Sequence, residues 1–197
     1  MTIKGHVLLS TNLFVMTSLL LVERNEYFIS YGLVFYSVFL MGVVFVDIDE
    51  PNSWIGKKLF FLSYPFKLIN ITAKILLWGF GVEKKEWYRF FEHRGLTHMF
   101  LFVFIFFVIS YCLFKADMKI MSHIVASFGF GVLTHQLGDV LTNTGIKNYF
   151  FPFFIGKNFK TPITFSTGGL FEIIFNACLL FLLAIQIFLF FESKELF

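Results

Sequence analysis

Charge is scarce in this chain. Of its 197 residues only 15% are Asp, Glu, Lys or Arg, against 57% hydrophobic, and the mean hydropathy is +0.77. Soluble domains carry roughly a quarter charged residues, so that class is excluded. Cysteine is scarcer still. Cys112 and Cys178 both fall inside apolar runs, which leaves neither a disulfide framework nor a thiolate metal knuckle. No segment of about ten residues alternates apolar and polar side chains, so a transmembrane β-barrel is excluded too. A net charge of +3 offers no broad basic surface, and nucleic acid is not expected as a partner. The pattern shows neither internal repeats nor a linker between domains.

What the chain does have is long apolar runs, close to the roughly 20 residues a helix needs to cross a bilayer. They predict an all-α, polytopic membrane protein, one helical membrane domain over residues 1–197. About five spans are expected, at roughly 7–22, 27–46, 99–114, 120–141 and 170–190. Lys4 ahead of the first run resembles a signal peptide, but no small-x-small cleavage site follows, so a retained helix is expected. Lys57, Lys58, Pro65, Lys67 and Lys74 interrupt the next apolar stretch. A charge at the bilayer centre costs about 2.5–3.5 kcal/mol on insertion scales. Residues 57–92 are therefore expected to form an interfacial or re-entrant segment, its lysines reaching towards head groups. Trp78, Trp87 and Tyr88 suit the aromatic belt there.

The few polar residues are not scattered. His6 opens the first span, and Asp47 and Asp49 close the second, just before Pro51. The run His93-Arg94-Gly95-Leu96-Thr97-His98 opens the third. His135 and Asp139 close the fourth, four residues apart and so on one helical face. Glu172 opens the fifth, with Asn176 one turn on. Five alternating crossings bring all of these to one membrane surface. Only His123 falls at the other, where a structural role is expected. Ionisable groups at membrane depth are costly and tend to be functional. Imidazoles with carboxylates and no thiolate suit a divalent metal, zinc first, with manganese or iron as alternatives and one to three ions in all.

Roles follow from residue type. His93, His98, His135 and Asp139 are expected to ligate an ion, and His6, Asp47 and Asp49 the same or a second ion. Glu172 is expected as general base or supporting partner, with Asp49 also a candidate for the reaction itself. Arg94 is placed to clamp a phosphate bidentately. Twelve Lys and Arg fall on the side of these residues: Lys4, Lys57, Lys58, Lys67, Lys74, Lys84, Lys85, Arg89, Arg94, Lys147, Lys157 and Lys160. Four fall on the other: Arg24, Lys115, Lys119 and Lys194. The positive-inside rule then turns the site to the cytoplasm.

His6, the Asp47-x-Asp49 pair, the His93–His98 block, and His135-x-x-Leu137-Gly138-Asp139-x-x-Thr142 with Gly145 together resemble the YdjM family, over nearly the whole chain. The resemblance implies a metal-dependent hydrolase of the bacterial inner membrane. More distantly, the His-x-x-x-Asp helix is similar to zinc-dependent phospholipase C and its nuclease relatives, soluble enzymes whose flanking regions this chain lacks. A site at head-group level points to membrane lipid as a partner, and to hydrolysis of a lipid or lipid-linked phosphoester by metal-activated water. Two other classes compete with this reading. A divalent-cation transporter would place its ligands near the midplane rather than at one surface. A purely structural metal would need four ligands, fewer than are present.

Overall fold

The structure is a computed structural model. It describes residues 1–21, 26–50, 52–61, 63–65, 68, 71–72, 75, 96–147, 149–150, 153 and 158–195. It is built almost wholly of helices, as expected. Helix α1 spans Ile3–Leu21, α2 Glu26–Phe45, α3 Trp54–Lys58, α4 Phe100–Lys115, α5 Lys119–Val140 and α6 Leu170–Glu195. These bounds follow the apolar runs closely. The expected interfacial segment at 57–92 lies largely outside the described residues. Among the described residues, two stretches are long and apolar enough, by length and composition, to cross a membrane: Ser30–Ile48 and Leu170–Phe188. The apolar α4 is shorter, at 16 residues.

Helix α5 sits in the middle, packed against α2, α4 and α1, while α1 also packs on α6. Small residues make this possible. A Cβ at Gly131 would strike the backbone carbonyl of Phe39, and one at Gly42 the carbonyl of Phe128, so α2 and α5 meet backbone to backbone. On the other flank of α5 a Cβ at Gly129 would lie 2.9 Å from the Phe106 Cβ. Near the far end of the α4–α5 hairpin, Ser110 and Ser122 each donate to the other's carbonyl, at 2.9 and 2.8 Å. Phe14, Phe35, Phe39 and Val43 are buried together where α1 and α2 meet. Outward faces carry large apolar side chains such as Leu33, Ile105 and Phe181, as a lipid-facing surface does.

Past Asp49 the chain turns into α3, whose start is fixed by one hydroxyl. Ser53 Oγ accepts from Gly56 N–H at 2.9 Å and donates to the Asp47 carbonyl at 2.8 Å. Beyond α5 the chain forms a small antiparallel pair, β1 at Ile146–Lys147 and β2 at Asn158–Phe159. Gly145 makes the entry to it, with φ +59°, where a Cβ would also meet the Phe159 carbonyl. Thr161 N–H donates to the Val140 carbonyl and Phe165 N–H to that of Leu141, so this segment caps the end of α5.

Candidate metal centre

Four separate segments deliver polar atoms to one buried point. The 3₁₀ turn Val46–Asp49 extends α2 and presents Asp47; the 3₁₀ turn Leu96–His98 precedes α4 and presents His98. The last turns of α5 present His135 and Asp139. The first turn of α1 presents His6, which needs Gly138 opposite it, since a Cβ there would run into the imidazole.

The distances form a pattern. His98 Nε2 lies 3.2 Å from Asp139 Oδ2 and 3.6 Å from Asp47 Oδ1. His135 Nε2 lies 3.5 Å from Asp139 Oδ2 and 3.6 Å from the same Asp47 oxygen. Ligands bonded at about 2.0–2.1 Å to a tetrahedral zinc stand about 3.3 Å from one another. Four of the six edges of such a tetrahedron are therefore present, all at close to that length. Three of the four are longer than good hydrogen bonds. Among the described residues His135 Nε2, though buried, has no hydrogen-bond partner, the state expected of a nitrogen arranged for a metal. The donor set, two imidazoles and two carboxylates, fits zinc, manganese or iron.

His6 stands in the same relation to the other oxygen of Asp139. Its Nε2 is 3.4 Å from Oδ1, and its ring stacks on that of His135 with centroids 3.9 Å apart and planes 3° from parallel. Ligand atoms of His6, His135 and Asp139 form one group and those of Asp47, His98 and His135 another, each within 4.8 Å. Asp139 and His135 join the two. Access is one-sided: the Asp47 side chain is 21% exposed, whereas those of His98, His135 and Asp139 are at most 2%.

Backbone groups aim the rings. His135 Nδ1 meets the Val43 carbonyl at 2.7 Å, which makes Nδ1 the donor and leaves Nε2 to face the carboxylates. His98 Nδ1 meets Thr97 Oγ1 at 3.1 Å. Gln136, fully buried, donates through Nε2 to the carbonyls of Thr97 and Met99, both at 3.1 Å, and so clamps the residues on either side of His98 to α5. Sequence reasoning missed Gln136 as a functional residue. Its signal was present, an amide beside His135 in an apolar helix, but nothing in the sequence says which carbonyls it holds.

The remaining expected site residues divide into two groups. His93 and Arg94 lie outside the described residues, as does the side chain of Asp49. Glu172 is described, and its carboxylate is engaged elsewhere. Oε1 accepts from Thr2 N–H and Thr2 Oγ1 and Oε2 from Gly168 N–H, each at 2.7 Å. It thereby ties the start of α1 to the start of α6. His123 lies at the opposite end of α5, its Nδ1 on the Lys119 carbonyl at 2.6 Å.

Comparison with known proteins finds inner membrane proteins. A protein of Escherichia coli (strain K12) named as an inner membrane protein, YdjM, is 29% identical over 100 residues. Its counterpart in Shigella flexneri is identical to the same degree. Each match takes in 51% of this chain and 40% of the relative, so less than half of those proteins' length is matched. No solved structure matches. The family model described as "YdjM inner membrane protein" matches residues 1–194, and the chain belongs to that family.

Proposed function

We propose that this inner-membrane protein is a metal-dependent hydrolase acting on a phosphoester of a lipid or lipid-linked substrate at the cytoplasmic head-group level. One observation carries the reading: four atoms from three segments, His98 Nε2, His135 Nε2, Asp47 Oδ1 and Asp139 Oδ2, meet at one buried point, each nitrogen 3.2–3.6 Å from both oxygens. These residues would hold the ion. His6, across Asp139, would hold a second ion or fix the carboxylate. A bound divalent cation supplies Lewis acidity towards a phosphoryl oxygen and activates water at neutral pH. The Val43 carbonyl fixes His135 in the tautomer that turns its bare Nε2 to the carboxylates, and the Thr97 hydroxyl holds the His98 ring. Asp47, the exposed member, marks the side from which substrate enters.

In this reading α1, α2, α4, α5 and α6 all cross the membrane. Their ligand-bearing ends alternate between start and finish along the chain, as five crossings with a one-sided site require. The excess of Lys and Arg on that side turns it to the cytoplasm. Arg94 retains its expected role as phosphate clamp within this proposal, whereas Glu172, held by Thr2 and Gly168, joins α1 to α6.

The test is metal content, by plasma mass spectrometry, of detergent-purified protein beside His135→Ala and Asp139→Ala, followed by turnover of lipid phosphoesters. At least one zinc or manganese per chain, lost in both variants, with hydrolysis that follows the metal, is expected. Folded, monodisperse protein that takes up no metal when it is supplied refutes the reading. Metal-dependent ion flux without hydrolysis would replace it with transport.

A further inference from the structure

We infer that the groove between α2, α3 and α5 seats one acyl chain of a phosphate-bearing lipid, beside the exposed edge of the metal centre. The inference rests on the proposed lipid phosphoester chemistry for what the head group does. It adds where the chain of that lipid lies. The groove holds about 300 Å³, the lower end of the range for ligand sites. Its long wall is one face of α2, with Ser37, Leu40, Met41, Val44 and Phe45 at helical spacing, and it runs about 12 Å at 1.5 Å per residue. Trp54, Ile55 and Leu59 close it from the α3 side, and Phe128 from α5. The polar exception is spent locally, since the Ser37 hydroxyl donates to the Leu33 carbonyl of its own helix. The whole lining is therefore apolar in effect.

Two observations choose the occupant. The groove ends at Phe45, two residues before Asp47, and α3 is pinned to the Asp47 carbonyl by Ser53. The α2 wall of the groove thus stops just short of Asp47, whose side chain is partly exposed. The last turn of α3, the helix that closes the groove, carries Lys57 and Lys58, both exposed. An apolar slot with a cationic lip matches a lipid whose phosphate sits at the surface and whose chain runs inward. An ordinary lipid-facing helix surface needs no third element folded over it, and here α3 supplies one.

The experiment uses the full chain in phosphatidylcholine vesicles doped with phosphatidic acid bearing a diazirine on one acyl chain. Crosslinked positions are mapped by peptide mass spectrometry. Labelling is expected to concentrate on Leu40, Met41, Val44 and Leu59, well above open faces such as Leu33 and Ile105. Val44→Trp fills the slot and should reduce groove labelling to the level of those faces, its unchanged Tm and monodisperse elution showing that the fold is intact. Lys57→Gln with Lys58→Gln should lower it by roughly fivefold per lysine. Even labelling of all exposed apolar faces in the wild type overturns the inference. Metal content is read on the same sample, so absence of metal sinks the hydrolase while groove labelling is judged separately. Metal and hydrolysis with even labelling sink only the groove.

Discussion

Gly131→Ala should disrupt both the fold and the metal centre, although it adds one methyl group and touches no ligand. The new Cβ would meet the Phe39 carbonyl oxygen, with Val43 N at 2.9 Å and Phe39 C at 3.0 Å. All three are backbone atoms, so no side chain can rotate away, and α2 and α5 must part by roughly 1 Å to restore van der Waals distance. Overpacking of this kind costs about 1–3 kcal/mol. The same substitution at Gly32, where a Cβ meets nothing within 4 Å, should instead gain about 0.5–1 kcal/mol of helix propensity. The two variants should differ by roughly 2–4 kcal/mol, a separation of roughly 4–16 °C in Tm for a chain of this size.

The strain also reaches the site. His135 lies one turn beyond Gly131, and its Nδ1 bond to the Val43 carbonyl, 2.7 Å long, spans the same helix contact. Parting the helices by roughly 1 Å takes that bond to the edge of hydrogen-bond range and releases the ring that presents Nε2. Loss of such an orienting bond typically costs about 10–100-fold in metal affinity. Thermal unfolding in detergent and zinc competition against a chromophoric chelator read the two effects on one preparation. If Gly131→Ala unfolds with Gly32→Ala and binds zinc as the wild type does, the close backbone crossing and its coupling to the site are both refuted.

Other substitutions separate support from chemistry. Gln136→Leu removes the amide that ties the Thr97 and Met99 carbonyls to α5, although Met99 keeps its bond from Phe102 N–H, and loosens His98; zinc competition should show a loss of about tenfold or more. Glu172→Gln sets an amide against the N–H groups of Thr2 and Gly168, so Tm should fall while zinc content is unchanged. A loss of turnover of about 10²-fold or more without a change in Tm would instead assign Glu172 the role of general base. Chelation should lower the Tm of the wild type, since a ligand at 100 times its Kd contributes about 2.7 kcal/mol, and should leave that of His135→Ala unmoved.

The sequence revealed the helices and the gathering of ligands for the same reason: the bilayer restricts both. Read as alternating crossings, the apolar runs put the start of α1, the end of α2, the start of α4, the end of α5 and the start of α6 on one side. His6, Asp47, His98, His135 and Asp139 needed nothing more to be grouped, and the structure brings these five together. What the sequence could not show is carried by atoms that have no residue identity. The Val43 and Thr97 carbonyls belong to every side chain alike, and only the backbone path decides that one orients His135 and the other receives Gln136. Gly42 and Gly131 each read as tolerated helix glycines until the partner carbonyls of Phe128 and Phe39 stand opposite them. Glu172 shows the converse. Its position at a span entrance suggested chemistry, yet a carboxylate receiving two backbone N–H groups and a hydroxyl at 2.7 Å already serves to join α1 to α6. A buried acid at a helix start is therefore ambiguous until its donors are known, whereas imidazole nitrogens facing shared carboxylate oxygens at 3.2–3.6 Å offer the spacing that a divalent ion asks of its ligands.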